Sequence, residues 1–466
     1  MTVEVDVVVI GSGYGGLITA ALLGRAGKRV LVVDRVPEIG GTCRSVLAGD
    51  VYTPFGHAGS GDTSDIFMFQ SRNDRFGMRA AERAGAKVAW VGPIEPVMRV
   101  HVLATGDVCG LGGGFREYAQ RVFGVPAELV DDLRVWWGKL LSLDPHDWFD
   151  VPLSQWMGDL PTVALRDAFA AVANCFDTLP VEQISTGWFA KGMQTPIELY
   201  YADDPDAPGM SGFAEAYGRV IRECGGELAL GTEVLELTLD EWGAVTGVVL
   251  QDDLSRITTV RSRTVVFARL PDQLIPLLGR DRLGAFADDA TALRRFDNDI
   301  ALDVRVLSRL PVRRDDGQPE DFRGWSRILR GADREYGGGW WFPSMTSPGL
   351  APDGKVVMEI GHSSGRRELR PFRDAAEARG VLDTVIDHLR AFYVDLDEVT
   401  ETSVMVVRQP PSLDSWKFGM APRLPLRVPG VDGVFHVSAA ADVDGVVQDI
   451  DANAAMQVAD LILGAT

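Results

Sequence analysis

The chain is short of histidine, cysteine, basic residues and long apolar runs, and each shortage removes a class of function. Six histidines and four cysteines are spread over 466 residues. Cys43, Cys109, Cys175 and Cys224 lie far apart, with no CxxC or Cys/His ligand spacing. Neither a metal site nor a disulfide framework is expected, and reduced thiols fit a cytoplasmic location. Lys and Arg number 46 against 66 Asp and Glu, a net charge of −20. A basic footprint for nucleic acid is therefore not expected. Nor is membrane-surface contact, since no basic amphipathic helix is visible. No uninterrupted apolar run approaches the roughly 18 residues that a bilayer span needs. Acidic Glu4 and Asp6 stand where a signal peptide would be basic. No local motif supplies a Ser/His/Asp or Cys/His hydrolytic set.

What is present begins almost at once. Val5–Ile10 (VDVVVI) has the β-branched run of a buried parallel strand. Gly11-Ser-Gly-Tyr-Gly-Gly16 follows, a G-x-G-x-x-G turn. Gly11 permits the tight turn, Gly13 lets backbone approach a diphosphate, and Gly16 allows helix to pack on strand. A helix over 14–26 then aims its free N–H groups at the phosphates. The second strand, 29–34, ends in Asp34, about 20 residues beyond the turn and placed for ribose hydroxyls. Arg35 is the residue that would favour a 2′-phosphate, but the acid before it opposes one. Strand, glycine turn, helix, strand and acid in this register bind an ADP moiety.

Which dinucleotide is bound is decided by Pro37-Glu-Ile-Gly-Gly-Thr-Cys-Arg-Ser45. The Gly40-Gly41 doublet can return the chain to the diphosphate, and Arg44 is then available to a phosphate or a flavin edge. This arrangement resembles the amine oxidase and phytoene desaturase superfamily of FAD-dependent oxidoreductases. The likeness continues through Gly209-Met-Ser-Gly-Phe213 and its helix, the hairpin 227–249, and Thr264-Val-Val-Phe-Ala-Arg-Leu-Pro271. It ends with Leu424–Val437 and a helix from about 452 to 463. The resemblance implies FAD held by Gly11, Gly13, Tyr14, Gly15, Gly16, Asp34 and Arg35. It adds Gly40, Gly41, Arg44, the backbone of Val234, and Ser438, Ala439 and Val447. In Ser438–Gly445 the sequence departs from the family, which often has Gly-Asp there; Asp442 or Asp444 is the expected substitute, and both are candidate catalytic groups.

The resemblance also implies an α/β fold with an α+β substrate part. A Rossmann-like FAD-binding domain (1–70, 205–295 and 405–466) is interleaved with a substrate domain of sheet and helices (71–204 and 296–404). Most aromatic residues lie in the inserted pieces. Neighbours in a strand point to opposite faces, so one of Trp340 and Trp341 is expected to leave the core. Trp340, Phe342 and Trp188 are accordingly the candidate substrate contacts, for an apolar or aromatic small molecule. His57, in Phe55-Gly-His-Ala-Gly59, is the foremost candidate for proton work. Lys191 is similar to the lysine that holds a water in amine oxidases, in a different register, and His362 ends a substrate-domain strand. The implied activity is a two-electron oxidation forming C=C or C=N, with oxygen or another acceptor. The alternatives are a saturase or redox-neutral isomerase of the same fold, or a non-catalytic escort or GDP-dissociation-inhibitor-like protein.

Overall fold

A computed structural model describes residues 2–41, 44–48, 51–54, 67–69, 76–95, 98–110, 114–176, 181–194, 198–202, 204, 207, 209–293, 300–331, 335–363, 372–408, 423–445 and 448–464. Its centre is a five-stranded, wholly parallel sheet. In spatial order the strands are Glu227–Leu230, Val30–Asp34, Val7–Ile10, Val265–Phe267 and Val434–His436. All five fall within 1–70, 205–295 and 405–466. The middle strands are buried on both faces, which is why they read as unbroken apolar runs.

On one face the helix Tyr14–Arg25 packs with Phe76–Ala84, Met210–Glu223 and Gln448–Leu463. The first of these is buried from Tyr14 to Gly24, because it is enclosed by the sheet and three other helices; a one-sided apolar stripe would not suffice there. The other face is covered by the hairpin strands Glu233–Leu239 and Val245–Gln251 and by helical turns over 271–292. The helix Phe76–Ala84 packs with the nucleotide half although it lies beyond residue 70.

The second half is a seven-stranded mixed sheet. Its order is Thr400–Arg408, Ile300–Leu307, Val356–Ser363, Glu335–Trp341, Trp325–Arg330, Met98–Val102, Asp107–Gly110. The 18-residue helix Ala375–Phe392 lies across one face, burying Ala378, Leu382, Val385, Ile386 and Leu389. Asp374 caps it by accepting the Glu377 N–H at 2.9 Å. A helical lobe, with Val130–Leu141, Val163–Phe176 and Thr186–Gln194, has its own core, and Ile450 and Val443 reach into it.

Both faces of the large sheet are covered, which corrects the expectation for the tryptophan doublet. Trp340 and Trp341 do point to opposite faces, yet they are 3% and 2% exposed. Trp340 and Phe342 lie under the helix Ala375–Phe392, so they are core residues there and not candidates for a substrate wall. Trp340 Nε1 donates to Tyr393 Oη at 3.2 Å. Trp341 lies in the cluster on the other face and donates to Glu359 Oε2 at 2.6 Å. His362 shares the pleat face of Met358 and Ile360, again under the helix.

Candidate functional site

The groove at the carboxyl edge of the parallel sheet is built first by glycine. A Cβ on Gly16 would overlap the Gly11 carbonyl oxygen and approach Ala268 Cβ to 3.0 Å. A Cβ on Gly13 would meet no protein atom within 4 Å. Gly16 is therefore glycine for packing, and Gly13 leaves room on the groove side. The doublet comes back as the sequence suggests: Gly40 N–H donates to Ser12 O at 2.8 Å, and Gly41, at φ +57°, would bring a Cβ to 2.9 Å from Gly13 Cα. Two glycine segments thus cross at the head of the helix Tyr14–Arg25, whose free N–H groups favour an anion.

The groove is lined by Gly11, Gly13, Tyr14, Gly15, Asp34, Arg35, Val36, Gly41, Arg44, Ala268, Arg269, Leu270, Gln273, Val437, Ser438, Ala439 and Asp451. Most of the cofactor contacts implied by the sequence are in this wall. Gly16 and Gly40 stand just behind it. Val234 is not in the wall; its side chain is 8% exposed and packs in the core behind the sheet. Val447 and His57 lie outside the described residues.

Asp34 is occupied on both carboxylate oxygens. Oδ2 accepts from Ser12 N–H (2.7 Å) and Ser12 Oγ (2.8 Å), and Oδ1 from Val36 N–H (3.1 Å). These bonds fix its orientation at the end of Val30–Asp34. Arg269 faces the same end of the groove; burial and the like charge of Arg35 lower its pKa, against the pull of Asp34 and Glu233. Arg44 donates to Glu38 Oε2 at 3.3 Å. Asp451, beside Gly15, has its carboxyl pushed up to about 7 by burial. The sequence reading missed Arg269, Gln273 and Asp451. Arg269 had a usable signal: it follows Val265–Phe267, which pairs in register with Val8–Ile10, and residues after such strands face the ligand crevice.

Beyond Ser438 the chain forms a second cluster, which joins the groove to the helical lobe. Lys191 pairs with Asp444, their side chains 11% and 60% exposed. Burial opposes the charge of Asp444, but the hydrogen bond and charge of Lys191, with the Gly445 N–H, together outweigh it and lower the pKa. Arg423 lies 3.8 Å over the Trp188 ring, which stacks on Phe149 at 4.8 Å. Arg423 Nη1 donates to the carbonyls of Ala441 (2.6 Å) and Val443 (3.2 Å). Burial moves its pKa down to about 10, against the attraction of Asp442 and Asp444. Trp188 is therefore at the loop 438–445, together with Asp442, Asp444 and Lys191, although their sequence positions gave no sign of it. Asp442 and Asp444 are exposed and are not in the groove wall, so the acidic substitute expected toward the dinucleotide is not formed by either.

The comparisons with known proteins agree with this construction. Residues 9–60 match the NAD(P)-binding Rossmann-like domain family. A segment of 42 residues is 57% identical to the Homo sapiens all-trans-retinol 13,14-reductase, covering 9% of this chain and only 7% of that protein's length. Similarity across the whole fold is found to an oxidoreductase from Methanosarcina mazei (TM-score 0.66, 17% identity, 97% of this chain and 99% of that one). It is also found to a putrescine oxidase from a redesign of cofactor binding (TM-score 0.65, 14% identity, 100% of both chains). Among the described residues, no helix is long and apolar enough to cross a membrane. The chain has a Rossmann-based α/β fold, shared along its whole length with that oxidoreductase and that putrescine oxidase.

Proposed function

We propose that the protein is an FAD-dependent oxidoreductase that removes two electrons from an apolar or aromatic small molecule, forming C=C or C=N. The observation that carries this reading is the crossing of Gly40–Gly41 over Gly13, within a groove that runs on from Asp34 to Ser438 and Asp451. A diphosphate fits at that crossing, where no Cβ fills the space and helix N–H groups point out. Gly11, Gly13, Gly15 and Gly41 would hold it, with Asp34 and Arg269 at the ribose end and Val437–Ala439 beyond. When bound, FAD supplies the hydride acceptor.

The chain's own part is to orient and to move a proton. Trp188 is 4% exposed, held between Phe149 and Arg423, and so braces the loop that follows Ser438 from the core of the helical lobe. Lys191 and Asp444 place an ammonium and a carboxylate there. The family match and the retinol reductase likeness support an oxidoreductase, and the reductase's name favours a second reading, saturation of a C=C bond. Oxygen or another acceptor closes the cycle in the oxidative direction.

Purified protein is expected to be yellow, with flavin absorption. Colourless protein that cannot be reconstituted with FAD sinks the proposal. Anaerobic addition of substrate separates the two directions: oxidation of substrate bleaches the flavin, whereas a saturase needs its flavin reduced first.

A further inference from the structure

The residues from His436 to Ala440 leave one hydrogen unassigned, and its direction can be worked out. His436 ends the strand Val434–His436 and is 0% exposed, with the Phe286 ring edge-on at 5.9 Å. Its Nε2 lies 2.7 Å from Ser438 Oγ, while its Nδ1 has no partner among the described residues. A neutral imidazole carries one N–H. On Nδ1 that hydrogen would be a buried donor without an acceptor, which is rarer in proteins than an under-used acceptor. It therefore sits on Nε2 and is donated to Ser438 Oγ. Ser438 Oγ also accepts the Ala440 N–H at 3.1 Å. Both lone pairs of the oxygen are then used, and its own hydrogen must leave in a third direction. Ser438 lines the groove next to Val437, which touches the Gly15 segment of the diphosphate turn.

We propose that Ser438 is a cofactor-gripping donor at the diphosphate–ribityl stretch, and that His436 is a positioning residue that aims its hydroxyl hydrogen into the groove. The inference rests on the FAD reading above. It fills the place for which Asp442 and Asp444 were expected: those carboxylates are exposed and turned toward Arg423 and Lys191. The acceptor is an oxygen of the diphosphate or of the ribityl chain, and the two can be told apart.

The test is a titration of apo-protein with FAD and, separately, with ADP, followed by flavin fluorescence and by calorimetry. Ser438→Ala is expected to weaken FAD binding about tenfold or more, as for a lost hydrogen bond to a charged or strongly polar oxygen. Ser438→Thr should restore it. A parallel loss of ADP affinity identifies a diphosphate oxygen; a loss for FAD alone identifies the ribityl chain. His436→Phe should weaken FAD binding in the unaltered background and add nothing in the Ser438→Ala background. Circular dichroism of Ser438→Ala should show folded protein, with a lowered melting temperature because the His436 Nε2–H and the Ala440 N–H lose their acceptor. Unaltered FAD affinity in folded Ser438→Ala overturns the proposal, as does a His436→Phe effect of the same size in both backgrounds. Failure of the unaltered protein to take up FAD instead overturns the functional reading itself, so the two failures are distinguishable.

Discussion

The two sheets of this protein bury their centres in opposite ways. The parallel sheet is filled by Val, Ile, Leu and Phe, and close approach there is made by glycine. The seven-stranded sheet buries charge. Glu320 is enclosed by Arg99 (2.6 Å), Arg313 (3.2 Å) and the Tyr393 hydroxyl (2.5 Å), its side chain 0% exposed. Burial opposes its ionisation, but the bonds from Arg99 and Tyr393 outweigh burial and hold the carboxyl down to about 2. His101 and His388 touch through their ring nitrogens at 3.2 Å in the same layer. Glycine and apolar side chains shape the dinucleotide groove by steric fit, with Asp34 held by Ser12 and Val36 at its rim, while the other half buries charged groups bonded to one another.

The sharpest break in that contrast is at Gly16. Gly16→Val forces side-chain atoms into the Gly11 carbonyl and is expected to cost about 4 kcal/mol or more, read as loss of folded protein in urea titrations. Gly13→Ala should leave the urea midpoint alone and abolish flavin uptake, because its Cβ meets only the groove. Next in size is Glu320→Ala, which takes the carboxylate from Arg99, while Arg313 keeps Asp316 and Asp321. A loss of about 3–5 kcal/mol is expected, with FAD affinity unchanged in the protein that remains folded. An equal effect on FAD affinity would show that the halves are coupled.

Smaller effects come from pH. Burial, then the nearby Arg330, pushes His388 down to about 4, and burial alone pushes His436 to about 3. Both are neutral when folded, whereas unfolded histidines take up protons near pH 6.5. Their contribution is full above that value and is lost as pH falls toward the folded values. Urea unfolding at pH 7 and pH 5 should show the decline, and His388→Phe should reduce its slope. Asp451 has the opposite sign: its pKa is raised, so its contribution is full below the unfolded carboxylate value and is lost as pH rises through about 7. The smallest effect is at Lys191→Met. Asp444 is largely in solvent, so at most about 1 kcal/mol of stability should go, while turnover with an apolar substrate should fall in steady-state assays.

The first half was legible because its signals are local. Strand, turn, helix and acid lie within Val7–Asp34, and the Gly40–Gly41 return follows directly. The opposite wall, with Arg269, Ser438 and Asp451, is assembled from strands that are neighbours only in space. The helix expected over 14–26 runs over Tyr14–Arg25, and the one expected from about 452 to 463 starts earlier, at Gln448, and ends at Leu463. The tryptophan doublet shows the limit of pattern. Alternation gave the correct opposite orientation, but it carries no information on whether both faces are covered. Nor do Glu320 and His101 look different in sequence from surface residues; only packing discloses that they are buried.

The strand Val434–His436 has a consequence for how the molecule is made. It is the edge partner of Val265–Phe267, so during vectorial synthesis that edge waits unpaired until residues 268–433 have left the ribosome. An exposed apolar edge is a template for wrong pairing. The nascent chain therefore holds an open sheet through most of the time in which its second half is being built, and the nucleotide groove closes last. Chaperone demand, expression yield and the timing of cofactor capture should all be governed by this late strand.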